Sequence, residues 1–205
     1  MATGQGYGSR RHRLLCALSV LSVLLAAPAQ AIAMADGAPA ALESETNDDA
    51  TLDGQVLSRE IERFRSSAIS LSQAMAIAEA THAGSTTADV SFDGEAATPV
   101  YRVKTVHHDR IWQHAIDATT GNIVGGEAAL PLTELDAEDR HNVVALKAIR
   151  HHLLDAVRVA EHAASGKAIS GGLIREHGRL NFAIVVVSGN DLKQVILQPP
   201  RARGR

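Results

Sequence analysis

Aromatic side chains are scarce in this chain, 3% of 205 residues, and there is a single tryptophan. The core must therefore be filled by Ala, Val, Leu and Ile, and a hydrophobic content of 45% is enough for that. Cysteine is scarcer still. Cys16 alone excludes an intrachain disulfide and any zinc–thiolate framework. A basic surplus is missing too: the formal net charge is -3, whereas nucleic-acid binders present a basic face, so no nucleic-acid partner is expected. The apolar stretches are all shorter than the roughly 20 residues a membrane span needs.

The one long apolar stretch, residues 14–27, follows Arg10, Arg11, His12 and Arg13 and ends near Ala29-Gln30-Ala31. A positive start, an apolar middle and a small-x-small site predict a signal peptide over residues 1–31, and hence a periplasmic or secreted protein. Arg13 stands where a twin-arginine signal wants an aromatic, which favours the general secretory route. Residues 32–54 collect Asp36, Glu43, Glu45, Asp48, Asp49 and Asp53 without a single Lys or Arg, and are expected to be a disordered acidic leader. Residues 199–205 read as a short basic tail headed by Pro199 and Pro200.

Between these ends the chain resembles itself. Leu71, Ala74, Ala78 and Glu79 align with Leu153, Ala156, Ala160 and Glu161, and Gly84 aligns with Gly166. The strand-like run 101–106 aligns with 182–187. Ser70 followed by Gln73 has the form of a capping box, and apolar residues at helical spacing follow it until Gly84. Runs 88–92, 100–107 and 110–117 then read as strands, as do 168–175, 180–188 and 192–198 in the second half. His177-Gly178 and Gly189-Asn190 suit two-residue hairpin turns. Short helices are expected at 55–65 and 135–149; the spacing does not decide whether the second runs on to residue 164.

The expected fold class is α+β: tandem two-layer modules, residues 55–130 and 131–198, each one helix packed on a three-stranded antiparallel sheet, with short preceding helices. Residues 182–187 are apolar on both faces, so that sheet needs a second cover, for which the other module is the first candidate.

Helix, then Pro99-Val100-Tyr101-Arg102-Val103, then Ile116-Asp117-Ala118-Thr119-Thr120-Gly121-Asn122-Ile123-Val124, resembles the PepSY domain over residues 69–124. The second copy resembles it in helix and strands but ends in Gln198-Pro199-Pro200, so it is a degenerate copy. PepSY domains occur in propeptides of thermolysin-like metallopeptidases and in small exported proteins. The resemblance implies inhibition or modulation of a peptidase, or more general ligand sensing in the cell envelope, with an exported protein such as a peptidase as the partner, and brings no catalytic residues. Asp117 to Gly121 is expected to be a structural turn.

No nucleophile elbow, HExxH helix, phosphate loop or dinucleotide fingerprint occurs, so neither enzyme activity nor a cofactor is expected. The expected function is that of a non-catalytic binding module that modulates or inhibits a peptidase, or mediates protein interaction in the cell envelope. The alternative is a periplasmic sensor of a metal ion or small ligand. Arg102 and Lys104, on the exposed face of an alternating strand, are the candidate partner contacts. His107 and His114 straddle a hairpin and are the candidate metal pair; His108 points the other way from His107. His151 and Asp155 share a helical face and could form half of a site. Trp112 alternates with His114 and Ile116 and is expected in the core.

Overall fold

The computed structural model describes residues 46–147, 149 and 152–199. The signal segment, most of the acidic leader, His151 and the tail beyond Pro199 lie outside the described residues. The first helix, α1 (Thr46–Arg65), begins earlier than the expected Gln55, so the last residues assigned to the leader are helical backbone. Its final turns send Ile61 and Phe64 into the core, where Phe64 meets Phe92 edge to face at 5.4 Å.

Helix α2 (Leu71–Thr81) opens on the expected capping box. Ser70 Oγ accepts from Gln73 N–H at 3.2 Å, and Gln73 Oε1 accepts from Ser70 N–H at 2.8 Å. Leu71, Ala74, Met75 and Ala78 are buried, which is the stripe that helical spacing puts on one face. The strands β1 (Thr86–Asp93), β2 (Val100–His107) and β3 (Arg110–Asp117) follow as an antiparallel meander. A fourth strand, β4 (Ala128–Pro131), was not expected; it pairs with the first half of β3.

After a short 3-10 turn at Leu132–Glu134 come α3 (Ala137–Lys147) and α4 (Leu153–Ala164), two separate helices rather than one. Then β5 (Lys167–Glu176), β6 (Arg179–Ser188) and β7 (Asp191–Leu197) form a second meander.

The fold class is α+β, but the two sheets are one. The seven strands lie in the order β4-β3-β2-β1-β5-β6-β7, all antiparallel, joined where Asp89, Val90 and Ser91 pair with Gly172, Gly171 and Ser170. The second half therefore does not cover the first, as the apolar run 182–187 suggested it would. The halves meet edge to edge, and α2 and α4 lie side by side over the join. Helix α3 packs against β5 and buries Asn142, Val143 and Leu146.

The halves also share a device. A carboxylate at the end of each helix caps the bulge at the start of the strand that follows. Glu79 Oε1 accepts from both N–H and Oγ1 of Thr87 at 2.8 Å, next to the register shift between Thr87 and Asp89. Glu161 Oε1 accepts from Ala168 N–H at 2.9 Å, next to the shift between Ala168 and Ser170. Each bulge frees a backbone donor from the ladder, and each glutamate satisfies one.

Candidate functional site

The richest cluster of chemistry-bearing side chains lies beyond the C-terminal end of α2, on the helix-covered face of β2–β3. His114 stands opposite Val103 and is buried at 3% exposure. Its neighbour on the same face, Trp112, stands opposite Thr105. The β4 register places Ala128 opposite Gln113, so one step further along Glu127 comes opposite His114. His82, the residue that ends α2, leans over this corner from the helix layer.

These positions bring His82, His114 and Glu127 together, with candidate ligand atoms all within 4.8 Å of one another. Glu127 Oε1 is 3.5 Å from His114 Nδ1, and its Oε2 is 3.8 Å from His82 Nε2. The other nitrogen of each ring meets a threonine hydroxyl. His114 Nε2 is 3.2 Å from Thr105 Oγ1, and His82 Nδ1 is 3.0 Å from Thr81 Oγ1. Thr81 donates its own proton to Ala78 O at 2.7 Å, so towards His82 it can only accept. In the neutral ring the His82 proton therefore sits on Nδ1, which leaves the lone pair of Nε2 on the side of the carboxylate.

Trp112 lies flat on His82, with ring centres 3.9 Å apart and planes at 28°, and is half-buried rather than part of the core. The expected face is correct. The missing cover is physical: α2 has ended by this point, and one imidazole does not seal an indole. Burial pushes the His114 pKa below its usual value, with His82 adding to the push and Glu127 opposing it.

His107 is not among the residues whose ligand atoms converge, although its ring is 5.7 Å from that of His82. Its ring instead lies 4.1 Å from that of His108, which does not point the other way as expected because it has left the strand at φ +52°. The residues that join His114 are thus His82 and Glu127. The sequence does not single out His82, which follows the last helical turn, or Glu127, which precedes a strand, β4, of only four residues.

Arg102 and Lys104 point to the opposite face of the sheet. The Arg102 side chain is 60% exposed and lies 2.6 Å from Asp93; Lys104 lies 3.6 Å from Asp89. Both carboxylates belong to the adjacent strand β1. The turn after β3 is structural, as expected. Asp117 Oδ1 accepts from Thr119 N–H at 2.8 Å and Thr120 N–H at 2.7 Å, and these bonds hold its carboxyl below the usual range. Gly121 closes that turn at φ +75°.

A cleft of about 600 Å³ opens between the N-terminal end of α2 and the C-terminal end of α4, over Tyr101 and Phe64. At the far edge of the sheet β7 presents Leu192 and Ile196, 40% and 42% exposed, on the face away from α4. No described helix is long and apolar enough to cross a membrane.

No curated protein matches this chain. Among solved structures, a protein of Clostridium difficile 630 described as a candidate lipoprotein is similar over 65% of this chain and 88% of its own. The identity is 16% and the TM-score 0.39. The family of the peptidase propeptide and YPEB domain matches residues 68–127, a span that runs from the entry to α2 through β3 to Glu127. Residues 68–127 are a PepSY domain.

Proposed function

We propose that this protein is an exported, non-catalytic binding protein of the cell envelope, which acts on an exported polypeptide partner such as a peptidase. In this reading α4 with β5–β7 is a second, degenerate PepSY copy that has kept the helix and meander and lost the terminal Asp-Ala-x-Thr-Gly turn. The observation that carries the proposal is the β7 edge. Seven residues of extended backbone have no neighbouring strand on their outer side among the described residues, and Leu192 and Ile196 stand exposed beside them. Such an edge accepts an extended segment of a partner as an added strand, with backbone hydrogen bonds for affinity and side-chain contacts for choice. Arg102 and Lys104 take the lesser part, because Asp93 and Asp89 already match their charges.

The test is affinity capture from a periplasmic extract with the wild-type protein and with a Leu192→Lys, Ile196→Lys double variant, followed by assay of any peptidase recovered. A partner retained by the wild type and lost by the variant supports the reading. Equal capture by both, or hydrolysis of peptide or ester substrates by the purified protein itself, refutes it. Charge reversal of Arg102 should change the affinity less than the double variant does.

A further inference from the structure

We propose that His82, His114 and Glu127 form a binding site for one divalent transition-metal ion of the zinc class. The argument rests on where the lone pairs point. In the neutral ring the His82 proton is held at Nδ1 by Thr81, whose hydroxyl has already given its own proton to Ala78 O, so Nε2 presents its lone pair to Glu127. His114 has the same kinds of neighbours: its Nε2 contacts the Thr105 hydroxyl, while Nδ1, buried and without a hydrogen-bond partner, faces the other oxygen of the same carboxylate. With Thr105 accepting from Nε2, as Thr81 accepts from His82, both imidazole lone pairs face the carboxylate, an arrangement that is repulsive until a cation stands between them.

A proton is a poor occupant. Charge-assisted hydrogen bonds are about 2.7–2.9 Å long, and the two gaps to Glu127 are 3.5 Å and 3.8 Å. A metal ion fits better. With bonds of about 2.0–2.2 Å, neighbouring ligand atoms around a tetrahedral zinc stand roughly 3.3–3.6 Å apart. His114 and Glu127 already have that spacing, and His82 has to close in from 3.8 Å at Glu127 and from within 4.8 Å at His114.

Two imidazoles and one carboxylate suit zinc, cobalt, nickel or copper rather than magnesium or calcium. The threonine contacts supply the outer shell that fixes the ring orientation and proton position of metal-bound histidines. The flat contact of Trp112 on His82 holds the third element of the orientation. Three protein ligands leave one tetrahedral position open, on the side where Glu127 is exposed. An ion here would tie the end of α2, the middle of β3 and the lead-in to β4 at one point.

Trp112, the chain's only tryptophan, gives the site its own reporter. The purified protein is titrated with Zn²⁺ by calorimetry, and with Co²⁺ by visible absorption and tryptophan fluorescence. We expect one-to-one binding of micromolar affinity or tighter, Co²⁺ bands of tetrahedral intensity and a change in Trp112 emission at the same midpoint. His82→Ala, at a partly exposed position, and Glu127→Gln, at an exposed one, should each weaken binding by about tenfold or more, the scale on which metal-site residues act. His107→Ala should leave it within about threefold. Circular dichroism establishes that each variant is folded. Absence of saturable binding, binding that survives His82→Ala or Glu127→Gln, an equal loss from His107→Ala, or an equal response to Ca²⁺ would each overturn the assignment.

Discussion

Removing the Glu79 carboxylate tests the link between helix and bulged strand at its most sensitive point. Glu79 Oε1 accepts two hydrogen bonds, from the N–H and the hydroxyl of Thr87, both at 2.8 Å. Thr87 is fully buried, so neither donor can turn to water when the acceptor is lost. A hydrogen bond to a charged group contributes about 1.5–3 kcal/mol, and a buried donor left unpaired costs about 1–3 kcal/mol. These are two views of one loss and do not add. Glu79→Ala should therefore cost about 3 kcal/mol. Glu79→Gln keeps an oxygen in place for the same two donors and should cost about 1 kcal/mol, the difference between a charged and a neutral acceptor. Glu161→Ala, which frees the single Ala168 N–H, should fall between them. Urea unfolding followed by circular dichroism measures all three, and in a domain of this size 3 kcal/mol is roughly 6–12 °C in Tm. If Glu79→Ala stays within about 1 kcal/mol of wild type, or if Glu79→Gln is equally damaging, the carboxylate is not what holds the bulge.

Gly166→Ala should be more damaging than Gly84→Ala, although the two glycines align in the sequence. A Cβ on Gly166 would lie 2.2 Å from Val187 O and force the backbone apart, a cost of about 3 kcal/mol or more. Gly84 has open space and only its φ of +85° to satisfy, about 1–2 kcal/mol; thermal melts rank the pair, and the reverse order would refute the close approach. Tyr101 is fully buried, donates to Ile69 O at 2.7 Å, and has its pKa pushed up to about 12 by that burial. The unfolded phenol ionises near 10, so between pH 10 and 12 the unfolded state releases the proton first and stability falls as pH rises, by up to about 3 kcal/mol. Tyr101→Phe should lack this fall, seen as a shrinking gap between the two proteins in alkaline urea titrations.

Much of the fold is legible because its signals are local. Ser70 and Gln73 write the start of α2, and His177-Gly178, at φ +50° and +72°, makes the tight turn that its sequence requires. The join of β1 to β5 has no such signal. It depends on Gly171 leaving room for Leu153 and Val157 of α4 and for Ile184, which no alternation of residues announces. Nor does periodicity announce β4, a strand of four residues that starts two positions after Gly126 and is paired with β3. The site divides the same way. His114 could be placed by its strand, because the hairpin register follows from the turn. His82 and Glu127 come to it through the end of a helix and the position of an edge strand, both of them tertiary facts. The break between α3 and α4 has one local mark that counts in hindsight: the Asp155 carboxylate accepts from His152 N–H at 3.3 Å, as a helix start would have it.

The central place of β1 has a kinetic consequence. Three strands lie on either side of it, yet it is the first of the described strands, and Gly172, the partner of its Asp89, is made 83 residues later. While the chain emerges from a ribosome or a translocation channel, β1 can pair early with β2, but its other flank must wait for β5. Until then a strand that is interior in the finished protein is a bare, β-rich margin, carrying Val90 and Phe92 and able to pair with any other chain in the same condition. Closing so distant a pair is slow on the scale of hairpins. The protein's vulnerable interval thus falls between synthesis of its first half and arrival of its second, and a product truncated within that interval keeps the open flank permanently.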